Sequence, residues 1–357
     1  MRIFYRVGEK TYRNPIDALT DTFTTHKEPI LDLGSELNLY NWQTEPALNV
    51  AQCEDVYAKQ LASSKKPLRL VYSSGTDSHS VAAAFARNHI PLCYTLVDFS
   101  VVHDTYLDGT KWLPFKINRL TELLRSYDMP SPDYEVIVVD KKKIEAQFNK
   151  ENFFLNDCFY GTSLGFNLNQ FGEILKYSKY SPEKYLNIFG MEKPRLYQDG
   201  IGIYWQITDT VSMYGYSHDF DCCWFYTSPE APELIARQAW NVLNYCQSKW
   251  PNLDFNTSST IVQTNKSYYH TWCTVLGRRT DPWLSLMSRA KKPIGPSFKF
   301  NNDPRYKHLN YYKNTSSEAW KHYVALFKKI EELTGEDVLP NITSERYYLK
   351  YNDGLRL

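Results

Sequence analysis

Leu68-Arg69-Leu70-Val71-Tyr72-Ser73-Ser74-Gly75-Thr76-Asp77-Ser78 is the stretch on which the reading of the fold turns. Its first five residues are mostly apolar and β-prone and the next six are small or polar. Residues 78–87 then present an apolar face of Val81, Ala82, Ala84 and Phe85. A short strand, a tight loop and a helix are therefore expected, with Asn88 as the helix stop. Small side chains let backbone N–H groups approach an anion, the Ser and Thr hydroxyls donate to phosphate oxygens, and the helix start adds the positive end of its dipole. Asp77 would repel bare phosphate, so its place in the loop makes sense where a magnesium ion bridges carboxylate and phosphate oxygens. Without such a ligand, the same six residues read as an ordinary strand-to-helix turn with Ser and Asp capping.

Outward from this loop the chain keeps the same rhythm. Residues 91–99 read as a second strand, and Pro114 opens an amphipathic helix through Ile117, Leu120, Leu123 and Leu124. Residues 134–139 form a third strand, 142–149 a short helix and 185–189 a fourth strand. Alternating strands and helices predict an α/β fold, with a parallel sheet of about five strands flanked by helices and its ligands beyond the carboxyl ends of the strands. After Gly190, residues 195–197 and 201–206 flank Asp199-Gly200 as a hairpin, and 232–249 form a long helix. Another helix is expected over 316–333, with a capping box from Thr315 to Glu318 and Gly335 as its stop. Helices over 15–23 and 47–63 precede the loop. The expected organisation is a small α-rich N-terminal segment (1–65), an α/β domain (66–300) and a C-terminal helical region (301–357).

The 357 residues carry 41 Lys plus Arg against 40 Asp plus Glu, a net charge of +1, so any nucleic-acid contact must be local. Hydrophobic residues make up 43% and aromatic residues 15%, enough to close a sizeable core. The N-terminus lacks the apolar run of a signal peptide, and no stretch has the length of a membrane helix. A cytoplasmic location and no membrane partner are expected. The seven cysteines, at 53, 93, 158, 222, 223, 246 and 273, include no C-x-x-C pair, which argues against a disulfide framework and a structural zinc site.

Ser73-Ser74-Gly75-Thr76-Asp77-Ser78 resembles the S-G-G-x-D-S loop of the PP-loop superfamily, the N-type ATP pyrophosphatases, which includes the synthetase domain of asparagine synthetase. The resemblance implies an adenine-nucleotide α-hydrolase-like (HUP) domain. Leu70 to Tyr72 would match its first strand and Leu92 to Asp98 the second, whose edge receives adenine. It covers about 68–300, with the six-residue loop as its specific part. The phrases Trp42-Gln43-Thr44-Glu45-Pro46, Gly190-Met191-Glu192-Lys193-Pro194-Arg195 and Phe225-Tyr226-Thr227-Ser228-Pro229-Glu230 are similar to PP-loop proteins encoded by bacteriophages, which would place the chain in a host cytoplasm. The implied activity is an ATP-dependent ligase or amidotransferase-like reaction that adenylates an acceptor and releases AMP and pyrophosphate, and the phage resemblance suggests nucleotide or nucleic-acid modification as its setting. Pyrophosphate would lie on Ser73, Ser74, Gly75, Thr76 and Ser78.

Ser74 replaces the first glycine of the family's loop, which is harmless at negative φ and strained in a left-handed conformation. Met1-Arg2 supplies no N-terminal Cys nucleophile, so nitrogen would enter as free ammonia or an amine. The missing cysteine pairs disfavour the iron–sulfur or persulfide and the zinc-containing branches. A nucleotide-binding protein without turnover is the reading from another class. A phosphoadenylyl-sulfate reductase-like enzyme would need a redox cysteine near the C-terminus, and the last cysteine is Cys273.

Further candidates lie beyond the strand ends. Glu192 would join Asp77 in holding magnesium, and Lys193 would neutralise the departing pyrophosphate; a solvated Glu-Lys turn is the alternative. Asp98 is expected to bind adenosine or to cap the next loop. Arg278, beside Arg279, would clamp a phosphate or acidic substrate, or pair with nearby carboxylates. His103 and Asp104 read as surface residues, and Asp219 and Asp221, before Cys222-Cys223-Trp224, as neighbours of a core run. The 141–143 and 291–292 lysine runs read as solvated faces. No G-x-x-x-x-G-K-[ST] motif occurs, which weakens a kinase reading.

Overall fold

The computed structural model describes residues 4–13, 15–98, 109–138, 175, 178–190, 193–209, 221–249 and 342–352. The expected helices over 142–149 and 316–333 lie outside them. The centre is a five-stranded parallel sheet of β4 (Leu68–Val71), β5 (Cys93–Asp98), β6 (Asp133–Val138), β7 (Leu186–Phe189) and β11 (Cys222–Trp224), in the order β11-β7-β4-β5-β6. Every residue of β4 is buried, as a strand covered on both faces must be. Helices α2 (Val50–Ala62), α3 (Thr76–Arg87) and α4 (Gly109–Arg125) pack on this sheet through a core that includes Tyr57, Leu70, Phe85, Leu96, Leu120 and Phe225.

From β4 the chain builds outward through β5 to β6, and then returns to the other side of β4 for β7 and β11. The carboxyl ends of β4 and β7 therefore form the topological switch point, where adjacent connections diverge and leave a crevice.

Local chemistry sets the helix ends. Asn49 caps α2 by accepting the Gln52 N–H while the Gln52 side chain returns to the Asn49 N–H, which starts the helix at Val50. Asn88 ends α3 as expected, its side chain donating to the Ala84 carbonyl. Pro114 does not open α4. That helix begins at Gly109 and carries Pro114 within it, giving up one hydrogen bond.

The first 65 residues contain more sheet than their composition suggests. Strands β1 (Phe4–Val7), β2 (Lys10–Tyr12) and β3 (Pro29–Asp32) accompany α1 (Pro15–Thr25). They join β10 (Thr208–Asp209) and β12 (Ile342–Thr343) in the order β10-β12-β3-β1-β2. Strands of three or four residues with polar side chains mixed in, such as Arg6, Lys10, Thr11 and Asp32, have too few repeats of the two-residue period to stand out before they pair. The C-terminal region is likewise not wholly helical, since β12 is followed by β13 (Tyr347–Tyr351).

The expected hairpin is β8 (Arg195–Gln198) and β9 (Gly202–Gln206), and β13 adds to the free side of β9. Gly202 is required there, because a Cβ would lie 2.0 Å from the Lys350 carbonyl oxygen. Behind this sheet, Trp205 stacks on Tyr347 with ring centroids 4.4 Å apart, and Trp42 meets Trp205 edge-on at 4.7 Å. Trp240, on α5 (Pro232–Lys249), donates its indole N–H to the Trp42 carbonyl. Trp42-Gln43-Thr44-Glu45-Pro46 is thus a structural anchor, with Glu45 accepting from Arg237 at 2.9 Å. Among the described residues no helix is long and apolar enough to cross a membrane.

The amino-terminal half of the parallel sheet is held by buried polar groups. Arg69 on β4 donates to Asn187 on β7, to the Ser178 hydroxyl and to the Tyr180 carbonyl. Glu135 on β6 accepts from Thr95 at 2.7 Å and from the Lys179 N–H at 2.8 Å. Arg69 Nη1 lies 3.9 Å from Glu135. Arg69→Met removes the cation from a carboxylate that remains buried, and is expected to cost about 3–5 kcal/mol, read as a lower urea midpoint. A midpoint unchanged in the folded variant would contradict this role.

Candidate functional site

At the end of β4 the backbone turns through Ser73 and Ser74 and enters α3 at Gly75, the N-cap residue, with φ −66° and ψ 164°. The Ser73 N–H donates to Ser78 Oγ at 3.2 Å, and the two hydroxyls lie 3.0 Å apart. Ser78 Oγ donates to the Gly75 carbonyl and the Gly75 N–H to Ser73 Oγ, each at 3.2 Å. The hydroxyls so close the loop on itself. Among the described residues no side chain caps α3. Its first turn therefore presents backbone N–H groups that have no partner within the helix, the usual basis of an anion site.

Ser74 adopts φ +63°, the left-handed region that sequence reasoning marked as strained for anything but glycine. It is 1% exposed, and its Oγ is buried without a hydrogen-bond partner among the described residues. Its carbonyl accepts from Arg119 Nη1 on α4 at 2.6 Å.

Gly190 follows β7 and lies against the start of α3. A Cβ there would come within 2.9 Å of the Ser78 nitrogen and 3.0 Å of the Asp77 carbonyl carbon. This approach brings Lys193 to Asp77, with Nζ 2.5 Å from Oδ2. Tyr226, beyond β11, completes the cluster. Lys193 Nζ lies 5.7 Å from its ring centroid, and its hydroxyl is 3.0 Å from Glu54 Oε1 and 3.4 Å from the Asp77 carbonyl oxygen. Three strand ends, those of β4, β7 and β11, converge on one helix start.

Asp98 ends β5 and is buried. Near it Lys116, 5% exposed, donates from Nζ to the Val97 carbonyl at 2.8 Å. Burial pulls the Lys116 ammonium down to about 8, against the opposing pull of the Asp98 carboxylate. Lys116 and Arg119 are three residues apart and so share one face of α4. The sequence reading missed both, although Lys116 stands four residues before Leu120 on the apolar stripe, an odd position for a lysine. Tyr226 lies in the 225–230 phrase that the sequence singled out without giving it a role, and Glu54 had no sequence signal, because only folding joins residues so far apart.

The structure brings together Ser73, Ser74, Gly75, Asp77, Ser78 and Lys193, and places Asp98 at the neighbouring strand end. Thr76 begins α3. Glu192, Arg278, Arg279, His103, Asp104, Asp219 and both lysine runs lie outside the described residues. Asp221 pairs with Lys66 before β11. Cys223 is core, its thiol pushed up to about 12 by burial, which suits packing rather than nucleophilic attack. Among the described residues no group of three or more His, Cys, Asp or Glu side chains could hold a metal ion.

No protein-family model matches the chain, and no curated protein matches it.

Gly190→Ala forces the β7 turn away from α3, with an expected loss of about 1–3 kcal/mol and displacement of the loop. Thermal unfolding together with proteolysis near residue 75 reads both effects, and an unperturbed loop would contradict the close approach. Lys116 makes a pH-dependent contribution. Its folded pKa of about 8 lies below the ordinary 10.5, so between those values the unfolded chain binds a proton that the folded chain lacks. Its destabilising effect is full below pH 8 and fades as pH rises towards 10.5. Lys116→Met should gain stability over the wild type at pH 7, by up to about 3 kcal/mol less the lost hydrogen bond, and should lose that advantage by pH 10. Equal differences in urea unfolding at the two pH values would rule this out.

Proposed function

We propose that the chain is a PP-loop-type enzyme with an adenine-nucleotide α-hydrolase-like (HUP) core, which adenylates an acceptor with ATP and releases AMP and pyrophosphate. The observation that carries this reading is the position of Ser73-Ser74-Gly75-Thr76-Asp77-Ser78. It joins a central parallel strand to an uncapped helix at the switch point of the sheet, with Lys193 delivered to Asp77 from the neighbouring strand. Here the loop N–H groups and the hydroxyl of the exposed Ser73 take the pyrophosphate portion of ATP, while the buried Ser78 hydroxyl braces the loop from within. Asp98 lies on the side of the nucleoside.

An acceptor oxygen attacks the α-phosphorus, the bond to the bridging β-phosphate oxygen breaks, and pyrophosphate leaves. Ammonia or an amine then attacks the adenylated carbon, loses a proton and expels AMP. Lys193 balances charge on the departing pyrophosphate, and the protein's contribution is chiefly positioning and charge neutralisation. Magnesium held by Asp77, with Glu192 as the second carboxylate, would supply further neutralisation of the phosphates. The acceptor is a small molecule, a nucleotide or a nucleic acid.

The left-handed Ser74 favours a second reading, a protein that binds the nucleotide without turning it over. Incubation with α-labelled ATP, magnesium, an ammonium salt and a metabolite or nucleic-acid pool separates the two. The enzyme reading expects pool-dependent AMP that falls about 10²–10³-fold in Asp77→Ala. ATP binding with no AMP from any pool supports the binding protein, and absence of ATP binding removes both readings.

A further inference from the structure

We infer that Arg119 is a positioning residue that sets the direction of the Ser74–Gly75 peptide, and with it the capacity of the loop to receive an anion. Among the described residues no peptide bond is cis, so the Ser74 carbonyl and the Gly75 N–H lie in one plane and point in opposite directions. Arg119 Nη1 holds the carbonyl towards α4 at 2.6 Å. The Gly75 N–H consequently faces away from α4, where it meets the exposed Ser73 hydroxyl at 3.2 Å. A peptide turned the other way would direct a carbonyl oxygen, with its partial negative charge, at the place where an anion must sit.

Two features show why the peptide needs holding. Ser74 is left-handed, which disfavours this conformation for a residue with a Cβ, and its buried Oγ has no partner among the described residues to compensate. Neither feature holds the loop in place. The charge-assisted hydrogen bond from Arg119 does, from outside the loop, beside the Ser73 and Ser78 hydroxyls that close it from within. In a loop with glycine at this position the left-handed conformation carries no side-chain penalty, so the need for such a clamp arises from Ser74 itself.

The inference rests on the nucleotide reading only for the ligand. The experiment uses the full chain labelled with ¹⁵N-glycine, with the Gly75 amide signal assigned by its loss in Gly75→Ala. Arg119→Ala should move that signal without ligand and weaken MgATP binding about tenfold. Ser74→Gly added to Arg119→Ala should restore most of the affinity, because glycine takes the left-handed conformation unaided; a role for Arg119 in packing α4 would not be rescued this way. Should Arg119→Ala fail to fold, Arg119→Lys, which keeps a single donor, takes its place with an intermediate loss that Ser74→Gly again repairs. A folded variant with an unmoved Gly75 signal, unchanged affinity or no rescue by Ser74→Gly overturns the inference. If the wild type binds no MgATP the nucleotide reading fails, and the Gly75 signal alone then decides: moved supports the role of Arg119, unmoved overturns it.

Discussion

The close approach of Gly190 to the first turn of α3 is the constraint on which the site depends. The two strands that meet at the switch point, β4 and β7, can deliver their following loops to one place only if one of those loops has no side chain. Gly190 meets that condition, with space for no Cβ above the Asp77–Ser78 backbone. From it follow the Lys193–Asp77 ion pair and the position of Tyr226 across the helix start. In that cluster sequence motifs separated by more than a hundred residues become one chemical environment.

The two ends of the parallel sheet are built to opposite rules. At the amino-terminal half, Arg69, Asn187, Thr95 and Glu135 are buried, and each has hydrogen-bond partners, as a low-dielectric interior requires. At the carboxyl end the same sheet carries a serine in a left-handed conformation, a lysine whose charge is disfavoured by burial and, among the described residues, a buried hydroxyl with no partner and a helix without a side-chain cap. Strain and unmet polar groups gather where ligands bind in sheets of this kind, and the well-satisfied end provides the rigidity against which they persist.

The segments on either side of the parallel sheet share a second core. β12 pairs with β3, and β13 with β9, so residues near the C-terminus sit beside the first strands and beside the hairpin. Trp42, Trp205, Trp240 and Tyr347 fill the space between them. Because these strands are short, their stability comes from that aromatic packing more than from the ladders themselves.

Much of the parallel sheet was legible in the sequence. The runs at 68–72, 91–99, 134–139 and 185–189 are apolar over strand lengths, the intervening helix has a 3.6-residue stripe, and the loop after the first strand has the composition of an anion cradle. Local chemistry is sufficient for such features. The strands near the termini were not legible, since two to five residues of mixed character acquire a partner only once distant chain has folded beside them. The roles of Arg119, Lys116 and Tyr226 were hidden for the same reason. Sequence alone determined which residues could carry the chemistry of the loop, whereas tertiary structure decided the sign of φ at Ser74 and the groups that surround it. A backbone dihedral held by a guanidinium from another helix is a property of long-range packing, and no local pattern encodes it.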